Sequence, residues 1–206
     1  MKRAIACVVI GSLIFAVGCK KETAEKPEPA IKKLLARTDI VLVKHFYEEQ
    51  TIKEDQDANH PDIRPGSLSM EPIWVYEPSK EKSGEKGASI SLVTSWIWMG
   101  EGYSLHKEGG DERTAFLDLE ELRDLDNALD FFESDASPWR EQVKTGHVEV
   151  TFDSKDNFDA SIFHSKGSNT DFLYLTVDGK SVALNAAKAT ELQKITRDAI
   201  TELNKL

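Results

Sequence analysis

The chain has 206 residues, of which 40% are hydrophobic and 30% charged, with 36 acidic against 26 basic residues and a formal charge of −10. A chain of that length can bury a core large enough to hold itself together. Its acidic balance opposes nucleic acid phosphates and anionic head groups as partners.

The first eighteen residues read as a secretion signal. Lys2 and Arg3 give a positive start, residues 4–17 are an almost unbroken apolar run, and Ala16-Val17-Gly18 places small residues directly ahead of Cys19. The run is shorter than the ~20 residues that a spanning helix needs, and it ends on Gly-Cys rather than on a basic flank. This pattern resembles the lipobox signal of bacterial lipoproteins. The resemblance implies diacylglyceryl transfer to the Cys19 sulfur, cleavage after Gly18, and acylation of the new amino group with a palmitate-type chain. Several acyl chains at one residue anchor a protein to a membrane without spanning it. Lys20 stands where Asp would signal inner-membrane retention, so the resemblance favours the periplasmic face of the outer membrane. Cys7 leaves with the signal and Cys19 carries lipid, so the exported chain would hold no thiol and would rely on core burial alone. Loss of Lys2 and Arg3 leaves 24 basic residues against 36 acidic, a formal charge of −12.

Residues 19–30 carry two prolines, mixed charge and no large apolar side chain, the composition of a solvated tether. A single α+β domain is expected over residues 31–206, with halves at 31–136 and 137–206. Alternation predicts strands at 40–46, 73–76 and 88–99. Between them, residues 48–69 with Pro61, Pro65 and Gly66 read as an excursion loop. Gly109-Gly110-Asp111 reads as a charged turn leading to a strand at 113–117. Asp118 with Glu121 matches a capping box in which both carboxylates serve the first turn of a helix. Leu122, Leu125, Leu129 and Phe132 give that helix one apolar stripe, with Arg123, Asp124 and Asp130 toward water. Ser137-Pro138 is expected to begin a further helical turn.

The second half predicts strands at 147–152, 158–164, 171–177 and 181–184. A two-residue Asp178-Gly179 hairpin turn joins the last pair. Asn185 is expected to cap a last helix striped by Leu192, Ile195, Ala199 and Leu203. Thr114-Ala115-Phe116-Leu117-Asp118 aligns with Ser181-Val182-Ala183-Leu184-Asn185. The pattern is four strands, a cap and an amphipathic helix in each half, which suggests a duplicated ββββα unit, with an antiparallel sheet carrying its helices on one face. At the level of fold this layout resembles the Whirly-type single-strand-binding proteins. Fold does not carry function, and charge and export both oppose DNA binding.

No convergent catalytic set emerges. Asp55, Asp57 and Asn59 begin like a calcium loop, but His60 and Gly66 stand where the turn Gly and the bidentate Glu are needed. Asp153, Asp156 and Asp159 read as a hairpin turn. Ser79-Lys80-Glu81-Lys82, Ser134-Asp135-Ala136 and Lys144-Thr145-Gly146 follow the motif order of penicillin-recognising serine enzymes. Yet Ser79 lies in a solvated loop, and Ala136 replaces the required Asn. Gly87-Ala88-Ser89-Ile90-Ser91 lacks the last Gly of a nucleophile elbow. The five histidines show no metal spacing, and His147 with Glu149 is a surface pair on one strand face. No metal or cofactor is expected.

One anomaly concerns the strand at 88–99. Ile90, Leu92, Trp96 and Trp98 share one face while Val93, Ile97 and Met99 lie on the other, so the Trp96 to Met99 end calls for burial under a neighbouring segment or for a partner. The sequence thus leads to a lipid-anchored, non-catalytic interaction or accessory module with a protein partner in the cell envelope. The alternative is a small-ligand or peptide binder using Trp96 and Trp98, and the third reading is an enzyme of unrecognised class.

Overall fold

The computed structural model describes residues 26–54, 66–99, 105–134, 147–165 and 171–206. Its elements are α1 (Ala30–Leu35), β1 (Val43–Phe46), β2 (Gln50–Glu54), β3 (Gly66–Tyr76), a 3-10 turn (Pro78–Ser83), β4 (Glu85–Met99), β5 (Leu105–Asp118), α2 (Leu119–Ser134), β6 (His147–Asp153), β7 (Phe158–Ser165), β8 (Phe172–Val177), β9 (Lys180–Asn185) and α3 (Lys188–Asn204). The fold is α+β with two antiparallel sheets. The first runs β1-β3-β4-β5, with β2 beside β1 along the same edge of β3, and the second runs β6-β7-β8-β9.

Alternation on β3 and β4 decides what the first sheet buries. Leu68, Met70, Ala88, Ile90 and Leu92 face a core completed by Ala115 and Leu117 of β5. The second sheet presents Phe158, Ala160, Ile162, Leu173, Leu175, Val177, Val182 and Leu184 to the same core. The predicted helix stripes are the ones buried: Leu122, Leu125, Leu129 and Phe132 on α2, and Leu192, Ile195, Ala199 and Leu203 on α3. Leu122, Leu125, Leu129 and Phe132 stand at the same distances from Asp118 as Ala189, Leu192, Thr196 and Ala199 stand from Asn185, and all eight are buried. The two helices run antiparallel, with Arg197 reaching Asp126 at 2.7 Å and Asp130 at 3.2 Å, and Arg123 donating to Asn204 at 3.2 Å. Although α3 follows the second sheet in the chain, it packs on β3 and β2 of the first; α2 lies over β4, β5 and β6.

The opposite face of the first sheet is not bare. Ile73 and Val75, with Phe116, receive Ile31, Leu34 and Leu35 of α1, together with Leu42. A six-residue helix has no stability of its own in water, and α1 is held by tertiary bonds: the Asp118 carboxylate accepts from Ala30 N at 3.0 Å and Ile31 N at 3.1 Å. The capping box at α2 is therefore half-built. Glu121 accepts from Asp118 N at 3.0 Å, as expected, but the Asp118 carboxylate serves α1 instead.

Several sequence expectations change. The excursion loop of 48–69 contains β2 and the beginning of β3, since Ile52 pairs with Leu68 and both enter the core; residues 55–65 lie outside the described ones. Gly109-Gly110 is not a turn, because β5 passes straight through it. A Cβ on Gly110 would meet the Thr94 carbonyl oxygen at 1.7 Å, beside a register shift between Thr94 and Trp96, so this glycine permits close strand approach at a bulge. Asn185 does not cap α3. Its Oδ1 accepts from Ala187 N at 2.9 Å, one step before the helix begins at Lys188. The Asp178-Gly179 turn forms as read, with φ of 48° and 73°. The turn expected at Ser137-Pro138 falls outside the described residues.

Candidate functional site

A cleft of about 350 Å³ opens where α3 crosses the β1–β2 edge. Its position follows from an irregularity in that edge. Phe46 pairs with Ile73, Tyr47 N donates to the Pro72 carbonyl at 3.0 Å, and Gln50 pairs with Met70. Glu48 and Glu49 thus stand opposite Glu71 alone, a bulge that bends the edge and re-aims its side chains. Burial raises the Glu71 pKa above its ordinary value, and the nearby Glu49 charge adds to this.

The floor of the cleft is apolar: Met70 and Pro72 from β3, Ile195 and Ala199 from α3. Its rim is polar, with Tyr47, Glu48 and Gln50 on the strand side and Asp198, Thr201, Glu202 and Lys205 on the helix side. One contact crosses the rim, Gln50 Nε2 donating to Asp198 Oδ2 at 3.3 Å, while Lys205 Nζ pairs with Glu202 Oε2 at 2.5 Å within the helix side. Desolvation raises the Tyr47 phenol pKa, and the charge of Glu202 raises it further.

Beyond the C-terminal end of α3, the same sheet face carries three aromatic rings. His45 of β1 stacks on Trp74 of β3 at 5.2 Å and 23°, and Trp74 meets Tyr76 at 4.5 Å. His45 Nε2 lies 3.2 Å from the Tyr76 hydroxyl. His45 is exposed and the other two rings half-buried. The Trp74 indole N–H is buried without a hydrogen-bond partner among the described residues, and Gly84 lies so close that an added Cβ would stand 2.5 Å from it. Tyr47, two residues after His45, and Pro72, two before Trp74, line the cleft on that same sheet face. A second aromatic group, Phe163, Phe172 and Tyr174, stands on the outer face of the second sheet, with centroids 6.1 Å and 6.3 Å from Tyr174.

Perturbed acids occur elsewhere. Asp153 and Asp159 are cross-strand partners on β6 and β7. Burial, then hydrogen bonding and charge from Asp153, push the Asp159 carboxyl up to about 6, while Lys26 holds Asp153 below its ordinary value. Lys26 belongs to the stretch read as tether, so that stretch touches the domain at its last residues. Asp156 is buried and accepts from Phe116 N at 2.9 Å, satisfying a backbone donor on the free edge of β5, and it pairs with Lys32. These are structural bonds between α1, β5 and the β6–β7 turn. The hairpin-turn reading of Asp153 to Asp159 stands, with Asn157 at φ 57° closing the turn.

The sequence-singled residues do not converge here. Cys19 lies outside the described residues. Trp96 and Trp98 lie on β4 opposite Glu108 and His106. The register shift after Thr94 places its extra residue on β5, where residues 109 and 110 stand opposite residue 95, and the side chains of Trp96 and Trp98 lie outside the described ones. Ser79 sits in the exposed 3-10 turn, where Lys80 pairs with Glu77 at 3.0 Å. Among the described residues, no group of three or more His, Cys, Asp or Glu could hold a metal ion, and no helix is long and apolar enough to cross a membrane. Sequence reasoning missed the cleft because its walls come from β2, read as loop, and from the polar side of α3. The alternation His45-Phe46-Tyr47 and Pro72-Ile73-Trp74-Val75-Tyr76 was the available signal. Comparison with known protein families, curated proteins and solved structures finds no match.

Proposed function

We propose that this protein is a lipid-anchored binding module of the bacterial cell envelope, attached through Cys19 and receiving its partner in the α3/β1–β2 cleft and on the adjoining aromatic rings. The cleft carries the reading: an apolar floor, a ring of separate polar groups and an aromatic extension are what a recognition surface needs to gain area and fix orientation. Its carboxylates stand at an open rim, whereas catalytic acids are characteristically desolvated and set against a specific partner. The carboxyl pushed furthest, Asp159, lies on β7, paired with Asp153 where the sheet meets the N-terminal stretch, and Glu71, raised by burial, does not line the cleft. Binding without chemistry is therefore the better fit.

Two experiments test the two halves of this proposal. Metabolic labelling with a palmitate analogue should mark the wild type and not Cys19→Ala, which should also keep its signal; a Cys19→Ala protein processed to the same size and still membrane-bound would refute the anchor. A photo-reactive residue at position 47, in cells, should give a discrete crosslinked adduct that the same residue at exposed position 123 on α2 does not. Equal crosslinking from both positions would refute the cleft.

A further inference from the structure

We infer that the cleft recognises an alkylammonium, a protonated primary amine on an aliphatic stem, presented as a lysine side chain of a peptide. The inference rests on the binding role proposed for this cleft and adds the chemistry of what enters it. Four features of the same space agree. Glu48, Asp198 and Glu202 outnumber Lys205 around the rim. The cleft reaches the last turn of α3 at Thr201 and Glu202, where unsatisfied carbonyls give a helix its partial negative end and favour a cation. Met70, Pro72, Ile195 and Ala199 offer an apolar floor on which methylenes can lie while the charged head stays at the rim. Tyr47 contributes a ring at the mouth, and an aromatic face attracts ammonium groups. The cavity, about 350 Å³, suits one extended side chain rather than a large cofactor. An anion would meet three carboxylates, and a neutral apolar group would leave the rim unused. Lys205, paired with Glu202 on the same helix, competes with such a cation for that carboxylate.

Isothermal titration of the full-length chain in a non-ionic detergent tests this with three capped Gly-X-Gly peptides, X being lysine, norleucine or glutamate. The lysine peptide should bind, the norleucine peptide at least about tenfold more weakly, and the glutamate peptide not at all. Glu202→Gln and Asp198→Asn, conservative changes at the rim, should each weaken the lysine peptide about fivefold, as expected for a partly solvated ion pair. Lys205→Ala, which frees Glu202, should strengthen it. Tyr47→Phe should leave binding within about twofold because the ring face is kept, and Tyr47→Ala should not. Equal affinity for the lysine and norleucine peptides, or no effect of either carboxylate change, would overturn the inference while leaving the cleft a binding surface. Tighter binding of free 1,5-diaminopentane than of the peptide would overturn the peptide as the source of the amine. Crosslinking that is indifferent to position 47 would instead remove the cleft reading itself.

Discussion

Asp118→Ala should release α1 from the first sheet while leaving α2 in place. The Asp118 carboxylate accepts two backbone N–H groups of α1, at 3.0 and 3.1 Å, and is met by Lys155 Nζ at 3.3 Å. A hydrogen bond to a charged group contributes about 1.5–3 kcal/mol, so two would nominally exceed 3 kcal/mol. The measured loss has a ceiling, however, because α1 can simply undock. What holds it otherwise is the burial of Ile31, fully enclosed, with Leu34 and Leu35 partly so, about 3 kcal/mol less the cost of ordering the turn, together with the Lys32–Asp156 pair. The expected cost is therefore about 2–3 kcal/mol, appearing as local opening. Asp118→Asn keeps one acceptor and should cost about 1 kcal/mol. Hydrogen exchange read by mass spectrometry should show faster exchange in a peptide covering 28–37, with 119–134 and 188–204 unchanged. Loss of protection in α2 with none in α1 would mean that Asp118 caps its own helix, and the tertiary assignment would be wrong.

Two further expectations concern stability. Leu192→Ala removes a fully buried side chain where α3 meets the shared core and should cost about 3 kcal/mol, seen as a lower urea midpoint at unchanged slope; a cost below about 1 kcal/mol would contradict its packing. Asp159 is held near 6 in the fold against 3.8 for an ordinary Asp, so the folded state binds the proton more tightly. Its contribution is thus fullest below about pH 4 and is lost as pH rises to about 6. Asp153, shifted down, works the other way, its contribution present above about pH 4 and lost in stronger acid. Asp159→Asn should flatten the pH 4–6 slope in urea melts and stabilise the protein by about 1 kcal/mol at pH 7, after allowing for solvent screening. An unchanged slope would show that Asp159 is not the titrating group.

The elements that were legible in the sequence are those whose pattern is local. The α2 and α3 stripes, the Asp178-Gly179 turn and the four strands of the second half rest on spacing within one segment. Local signals misled where their geometry is set from outside. Pro65-Gly66 punctuates the chain like a loop, yet Gly66 starts β3 because the alternation Leu68, Met70 needs a partner in Ile52. Gly109-Gly110 reads as a turn, yet the close Thr94 carbonyl makes glycine necessary inside a strand. Asp118 and Glu121 have capping-box spacing, and nothing near them announces that α1, 88 residues earlier, takes up the aspartate. The cleft was illegible for the same reason, since Tyr47 and Glu202 are brought together only by the packing of the last helix on the first sheet.

That packing has a consequence for how the chain acquires its structure. Residues up to 134 could pair β1 to β5 and attach α2, but the face of β2 and β3 that holds Ile52, Leu68 and Met70 waits for a helix translated some fifty residues later. A fragment ending after α2 should be sticky and incompletely folded, and the stretches on either side of residue 137 should melt in one transition rather than two. Contacts this distant in sequence also slow folding. For a protein proposed to fold after export, the interval before α3 arrives is when a chaperone of the envelope would have most to cover.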